Sequence, residues 1–461
     1  MSSAKFETLR QKVRGTVIEP GDDEYQLARR VYNGMHDCHP AVVVRCVDAA
    51  DVMAALAAAR EGGLEVAVRG GSHSVPGFGT CDDGLVVDLS PMRWVRVDPE
   101  SRTARVGGGA TWGALDHATH AFGLATTGGV ISTTGVAGLT LGGGIGYLAR
   151  RFGLSCDNLL SADLVTADGR FVTASEYTNP DLFWALRGGG GNFGVVTSLE
   201  FQLHPVDQIV GGPIFYDIER AGEVLQFFQQ YVREAPEELG AFFGFHKAPP
   251  LPFLPPERHG DNMCAVVTCW TGPAGEAERV LKPLRQVAPA VGEHVGQMPY
   301  PMLNAAFDPL LPPGLRHYWK AVFEGELSAE AIATHLKHGA EVPTIQSLTH
   351  LYPINGAVHR VGDDETAFPR RDTLFATVIA GVWEDASDDS AIIRWVRDYY
   401  ADLQPLAAAA GYVNFMAGDD AGRVEVNYGR NYKRLAGIKR AWDPDNLFAR
   451  NQNIKPAAVA A

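Results

Sequence analysis

Glycine in this chain is clustered, and the clusters limit what the chain can fold into. Between Arg69 and Gly194 they fall at Gly70-Gly71, Gly107 to Gly109, Gly128-Gly129, Gly142 to Gly144 and Gly188 to Gly191. Short β-rich runs lie between them, among them Glu65 to Arg69, Leu85 to Leu89 and Thr103 to Val106. Asp51 to Arg60 and Thr111 to Phe122 carry the apolar spacing of amphipathic helices. Strands joined by such loops form an α+β domain whose turns let backbone come very close to a partner, because glycine has no Cβ and reaches φ > 0.

From about Val206 the clusters stop. Ala221 to Glu234 and Gly275 to Val287 are expected to be helical, and Met263 to Trp270, Arg316 to Glu324 and Thr373 to Trp383 to be strands. Helices alternating with strands of mixed polarity predict an antiparallel sheet backed on one side, not a parallel doubly wound sheet. A tail from Gly411 to Pro456 has its own character, with Tyr412-Val-Asn-Phe-Met, then Tyr428-Gly-Arg-Asn-Tyr432, a helix, and Asp443-Pro-Asp-Asn-Leu-Phe448. The expected division is residues 1–206, an α+β cap over 207–410, and a segment 411–461 that returns to the first domain.

Composition narrows the function. The formal net charge is −14 with no long Lys/Arg run, which argues against a nucleic-acid partner. No stretch approaches the roughly 20 apolar residues of a membrane span. The polar start Met1-Ser-Ser-Ala-Lys-Phe lacks the apolar core of a signal peptide. Cys38, Cys46, Cys81, Cys156, Cys264 and Cys269 are sparse for 461 residues and read mostly as buried thiols, which suits the cytoplasm. His36-Asp-Cys-His39 has donor atoms but no zinc spacing and no second ligand pair, so no metal is expected.

An acidic protein that binds a dinucleotide must meet two phosphate charges largely with backbone N–H groups, and a glycine-rich turn aims several of them at one point. Arg69-Gly-Gly-Ser-His-Ser74, following the expected strand, fits that role, and Arg69 could add a charged contact. Two matches to the dinucleotide fingerprint are discounted. Gly189-Gly-Gly-Asn-Phe-Gly194 lies between a helix and a strand, the reverse of the required order. Gly107-Gly-Gly-Ala-Thr-Trp-Gly113 lacks an acidic residue about twenty positions later to hold a ribose.

Taken together, the loops resemble the FAD-binding domain of the vanillyl-alcohol-oxidase superfamily, and more narrowly the berberine-bridge-enzyme-like oxidases. The resemblance covers nearly the whole chain. It rests on Arg69-Gly-Gly-Ser-His73, on Gly142-Gly-Gly-Ile-Gly146 with Arg150 and Gly153-Leu-Ser-Cys-Asp-Asn158, and on Asp181 to Gly190 with Asn192-Phe-Gly-Val-Val196. Asn427 to Leu435, Asp443 to Phe448 and Asn451-Gln-Asn-Ile454 complete it. It implies FAD bonded through its 8α carbon to His73. Many relatives add a bond from a cysteine, and Ile131 stands at that position here, so His73 is expected to be the only tether. Cys156 lies beyond Gly144 and is read as a packed residue. The cofactor-facing set then comprises Arg69, Gly70, Gly71, Ser72, His73 and Ser74; Ile131, Thr133, Thr134, Gly135 and Gly138; Gly142, Gly143, Gly144, Gly146 and Asn158; and Gly194, Val195, Val196, Tyr412, Asn414 and Asn451.

The same resemblance implies hydride removal from an alcohol, amine or aryl-CH carbon of a small organic or sugar-like substrate, with dioxygen as the usual acceptor. The family's base is the last residue of a Y-x-N-Y motif, and here Tyr412-Val-Asn-Phe415 ends in a side chain that cannot accept a proton. Tyr147, Tyr412, Tyr318 and Tyr352 are candidate replacements, with Lys320, His350 and His359 beside them. Tyr318 and Lys320 are expected to point into the cavity by alternation about Trp319. Two other functions are open: a flavin-bearing binding protein with little turnover, motivated by Phe415, and a dehydrogenase using an acceptor other than oxygen.

Overall fold

A computed structural model describes residues 6–408 and 410–458; the polar start at residues 1–5 lies outside the described residues. The helix Ala49–Gly62 begins where the Asp48 carboxylate accepts the Asp51 N–H at 3.1 Å, and it ends on Gly63 at φ 60°. Helix and turn chemistry therefore agree at both of its ends. This helix packs on a four-stranded sheet ordered Thr16–Ile18, Val42–Arg45, Leu85–Asp88, Val66–Arg69, in which the last three run parallel. A second, five-stranded antiparallel sheet is ordered Val95–Asp98, Thr103–Gly107, Val195–Gln202, Leu159–Val165, Phe171–Ser175.

The cap is an eight-stranded antiparallel sheet. Its main path is Ala290–Glu293, Gln208–Asp217, Asn262–Trp270, Leu239–Lys247, Leu348–Pro353, Phe375–Trp383, Arg316–Glu324, with Gly296–Pro299 also paired to Gln208–Asp217. Alternate residues of these strands face opposite ways. One face is covered by the helices Ala221–Glu234, Ala277–Gln286 and Ala329–Gly339, through Phe243, Phe245, Leu351 and Phe375. A fourth helix, Asp389–Leu403, covers Val322 and Ile379. The opposite face presents Phe242, Tyr352, Val378 and Val382 to the N-terminal part of the chain. The expected antiparallel cap backed by helices on one side is what forms.

Two buried cations hold the parts together. Arg150 donates to the carbonyls of Val232, Ala235 and Leu239 and to Asn355 Oδ1, fixing the N-terminal part to the cap. Lys439, on the tail helix Tyr432–Trp442, is fully buried and donates to the carbonyls of Asn192 and Phe448 and to the Asp443 carboxylate. The tail is thus tied across the second sheet's Gly-rich loop. Among the described residues no helix is long and apolar enough to cross a membrane.

Candidate active site

A cavity of about 330 Å³ opens between the cap sheet and the N-terminal loops. One wall is made by the loop after the strand Val66–Arg69, by Gly129 to Ile131, by Thr134 to Leu139, and by Gly190 to Asn192. The opposite wall comes from Phe307, Leu311 and Trp319 and from the inward residues of two central strands, Leu348, His350, Tyr352, Val378, Ala380 and Val382. The tail closes it with Tyr412 to Met416, Tyr428 and Phe448 to Gln452.

The first wall is backbone laid on backbone. A Cβ on Gly71 would lie 2.3 Å from the Gly135 nitrogen, so the two loops interlock at a distance only glycine permits. Gly138 differs: it lines the cavity and a Cβ there would meet nothing within 4 Å. Gly191 does the same. Open space over glycine backbone suits the phosphates and ring edge of a dinucleotide. Four buried polar atoms on the lining, Trp319 Nε1, Tyr428 Oη, Arg450 Nε and Gln452 Nε2, have no partner among the described residues. Buried donors of this kind normally find a partner, and a flavin dinucleotide carries the acceptors they need. The residues present therefore fit FAD.

His73 sits on this wall. Its ring stacks on Tyr32 at 3.8 Å between centroids and 18° between planes, and Tyr32 also stacks on His317 at 4.9 Å. The Thr133 hydroxyl lies 2.9 Å from His73 Nε2, and the Thr134 hydroxyl 3.4 Å from Nδ1. Burial among these neighbours lowers the imidazole's pKa from its ordinary 6.5 to about 4, so the ring is neutral and one nitrogen keeps an unprotonated lone pair. Ile131 lines the same cavity.

Several expected site residues are placed otherwise. Arg69 lines the cavity, but its guanidinium is engaged with Asp88 at 2.8 Å and the carbonyls of Ala28 and Arg30, so it braces the loop and has no charge free for a phosphate. Gly142, Gly143, Gly144 and Gly146 are off the lining. Added Cβ atoms there would strike Asn414, Phe368, Ser155 and the Gly128 carbonyl, so these glycines serve packing within the protein. Asn158 also lies off it, where it donates to the carbonyls of Phe152 and Leu154 and pairs with His204. Thr133 acts through His73, and Val195 is buried in the core against the first sheet. Gly70, Ser72, Ser74, Thr134, Gly135, Gly194, Val196, Asn414 and Asn451 all border the cavity.

The candidate bases divide clearly. Tyr318 and Lys320 face away from the cavity, because Trp319 takes the inward position. Tyr318 Oη donates to Asp419 at 2.7 Å, and Lys320 Nζ donates to Asp419 and Asp420 at 2.7 Å each. The expected alternation is present with its parity reversed, since acidic partners on the tail offset the cost of burying the lysine. Tyr147 is buried against Phe242, off the cavity, with its hydroxyl unpartnered among the described residues. His359 pairs with the Thr373 carbonyl, also off it. Tyr412 does border the cavity, and its oxygen accepts from the Gly144 N–H at 2.8 Å and from Asn414 at 2.7 Å. Tyr352 and His350 both border the cavity as well. Phe415 is there too, its ring 4.8 Å from Tyr412, 6.1 Å from Trp319 and 6.0 Å from Tyr352.

Cys156 is fully buried, and His36 packs beneath Gly77 with its ring nitrogen 2.8 Å from the Val75 carbonyl. Gly189 to Gly194 fails as a dinucleotide fingerprint on the order of its flanking elements, and Gly190 to Asn192 lie within it. That order is as read, yet the loop borders the cavity. Tyr32 and Trp319 carried no sequence signal, since one acts by stacking and the other by strand parity.

Comparisons with known proteins agree with this geometry. Residues 40–175 match a family described as the FAD binding domain, and residues 411–455 match one described as berberine and berberine like. An FAD-linked oxidoreductase of Dictyostelium discoideum is 31% identical over 452 residues, covering 97% of this chain and 96% of that protein. The crystal structure of 6-hydroxy-D-nicotine oxidase from Arthrobacter nicotinovorans superposes with a TM-score of 0.86 at 27% identity, covering 96% of this chain and 98% of that one. Glucooligosaccharide oxidase from Acremonium strictum, whose FAD is named as 6-S-cysteinyl, 8α-N1-histidyl, shares the fold with a TM-score of 0.84 at 22% identity, covering 96% and 98%.

Proposed function

From the premise that the chain belongs to the berberine-bridge-enzyme-like family of FAD-linked oxidoreductases, we propose that it is an oxidase of small, largely apolar or aromatic alcohols or amines, with its FAD bonded to His73 alone. The observation that carries the substrate reading is the cap wall. Phe307, Leu311, Trp319, Leu348, Val378 and Val382 leave few polar groups to exchange for the hydroxyls of a sugar chain. Burying unpaired hydroxyls against such a wall costs a few kcal/mol each, so an extended oligosaccharide is disfavoured.

FAD, when bound, supplies a two-electron acceptor for a hydride. The protein's part is to place and to desolvate. The neutral His73 imidazole, oriented by Tyr32 and the Thr133 hydroxyl, offers the nucleophilic nitrogen for the tether. Ile131, at the position where some relatives carry a second bonding residue, offers none. The apolar cap wall excludes water from the face where the substrate carbon must lie.

The test is to load the purified protein with FAD and offer benzyl alcohol, cyclohexanol, phenylpyrrolidine and cello-oligosaccharides in air. Peroxide formed with the aromatic or alicyclic members and not with the oligosaccharides is the expected result. Peroxide from the oligosaccharides alone overturns the substrate reading. Flavin that is reduced but stable in air shows a dehydrogenase that needs another acceptor.

A further inference from the structure

Of the ionisable side chains that border the cavity, one is backed by an unbroken line of proton-transferring groups. Tyr352 Oη lies 2.7 Å from His350 Nδ1, and His350 Nε2 lies 3.1 Å from His246 Nε2. The strands Leu348–Pro353 and Leu239–Lys247 are hydrogen-bonded neighbours, and this pairing sets the two histidines side by side. Phe242 closes over the line, with ring centroids 4.4 Å from His350 and 5.0 Å from Tyr352. Phe307 covers both histidines from another side. His246 and His350 are 4% and 2% exposed, so no bulk water competes for their protons.

Other candidates lack such backing. Tyr412 has its oxygen occupied by two donors, and Tyr428 borders the cavity with no neighbouring acceptor among the described residues. His73 is stacked and held by threonine hydroxyls.

We propose that Tyr352, relayed through His350 to His246, is the proton acceptor of the oxidation. The proposal rests on the oxidase reading above. Two directions of donation satisfy the line. In one, Tyr352 donates to His350 Nδ1 and His350 Nε2–H donates to His246. In the other, His246 Nε2–H donates to His350, and His350 Nδ1–H donates to the Tyr352 oxygen. In the first arrangement, the substrate O–H or N–H proton passes to Tyr352 Oη while the Tyr352 proton passes to His350 Nδ1. The His350 Nε2 proton can then move to His246. The C–H bond on the adjacent substrate carbon would break with its electron pair going with the hydrogen, and FAD, when bound, would supply the acceptor for that hydride. CH–OH thereby becomes C=O, or CH–NH becomes C=N, with one proton placed on the relay, where it resides only in transit because burial keeps both imidazoles weakly basic. Tyr352 touches the substrate and is the catalytic residue; His350 and His246 position and poise it.

The experiment uses FAD-loaded wild type, Tyr352→Phe and His350→Gln, with benzyl alcohol and phenylpyrrolidine as probes. It reads anaerobic flavin reduction, its solvent isotope effect, probe affinity and the side-chain ¹⁵N signals of labelled histidine. General-base loss predicts reduction slowed about 100-fold or more in Tyr352→Phe, with probe affinity within about threefold. His350→Gln should slow reduction and change the solvent isotope effect, which a merely structural residue would leave alone. If wild type and Tyr352→Phe are reduced equally fast, the relay is overturned while the oxidase reading stands. If wild type is reduced by neither probe, the substrate reading fails, and the ¹⁵N spectrum decides the relay. A shift of the His350 signal together with that of His246 on Tyr352→Phe supports it; unchanged signals overturn it.

Discussion

The two walls of the cavity are built from different material. The wall assigned to FAD is backbone: glycine loops pressed together at Gly71 and Gly135, with Gly138 and Gly191 open to the interior. The cap wall is side chains standing on alternate positions of a sheet, mostly apolar, with one line of buried tyrosine and histidine. The first wall depends on close backbone packing, with His73 and Ile131 among the side chains it carries. A side-chain wall can be changed residue by residue without disturbing the loops, so the proposed substrate preference rests on it.

The tether at His73 carries the largest expected effect. Replacing His73 by alanine should abolish acid-stable flavin altogether, while circular dichroism and the melting profile show the fold kept; yellow precipitate after acid denaturation of that variant would refute the tether. Next come two glycines on the same wall. Gly71→Ala drives a methyl into the Gly135 backbone and should cost about 1–3 kcal/mol as overpacking, read by denaturant unfolding. Gly138→Ala enters open space within the helix Val136–Leu141 and should leave apoprotein stability equal or higher by up to about 1 kcal/mol, while FAD uptake weakens. Equal effects of the two on folding would erase the distinction between loops that pack and loops that hold a ligand.

On the cap wall, adjacent residues should behave oppositely. Trp319→Ala enlarges the cavity and should weaken probe affinity several-fold, whereas Tyr318→Phe, on the far face, should leave it unchanged. A smaller effect concerns acid. His204 and His246 sit near pH 4 in the fold against an ordinary 6.5, lowered by burial. Between those values the unfolded chain binds more protons, so stability is full above about 6.5 and is lost as pH falls toward 4. Asp116, raised by burial to about 7, acts in the opposite sense and shallows the slope. Melting temperature followed from pH 7 to 4 should fall, and His246→Gln should flatten that fall.

Residue type reveals the two walls unequally. Backbone needs glycine, so the loop Arg69 to Ser74 and the sheet-and-helix order could be read from residue type, whereas its contact with Thr134-Gly135 could not. Glycine does not say what it makes room for, and so Gly142 to Gly146, which accommodate Asn414, Phe368 and Ser155, looked the same as loops that border the cavity. On the cap, strand Arg316–Glu324 was placed but its facing was not. Tyr318 and Lys320 are more polar than Trp319, yet they turn outward because Asp419, Asp420 and Arg397 wait there, about a hundred residues away for the acids. Arg69 misled for the same reason: its partner Asp88 lies on the neighbouring parallel strand.

The clamp at Lys439 imposes an order in time. Tyr412 to Met416 and Phe448 to Gln452 complete a cavity whose first residues are Val66 to His73, and Lys439 ties that closing piece to the Asn192 loop. A ribosome adding about 5–20 residues per second emits His73 tens of seconds before Gln452. Throughout that interval the nucleophile exists without the chamber that desolvates and orients it. The cavity therefore cannot be complete before Gln452 has emerged, and a chain cut short before Lys439 would lack the piece that closes its wall.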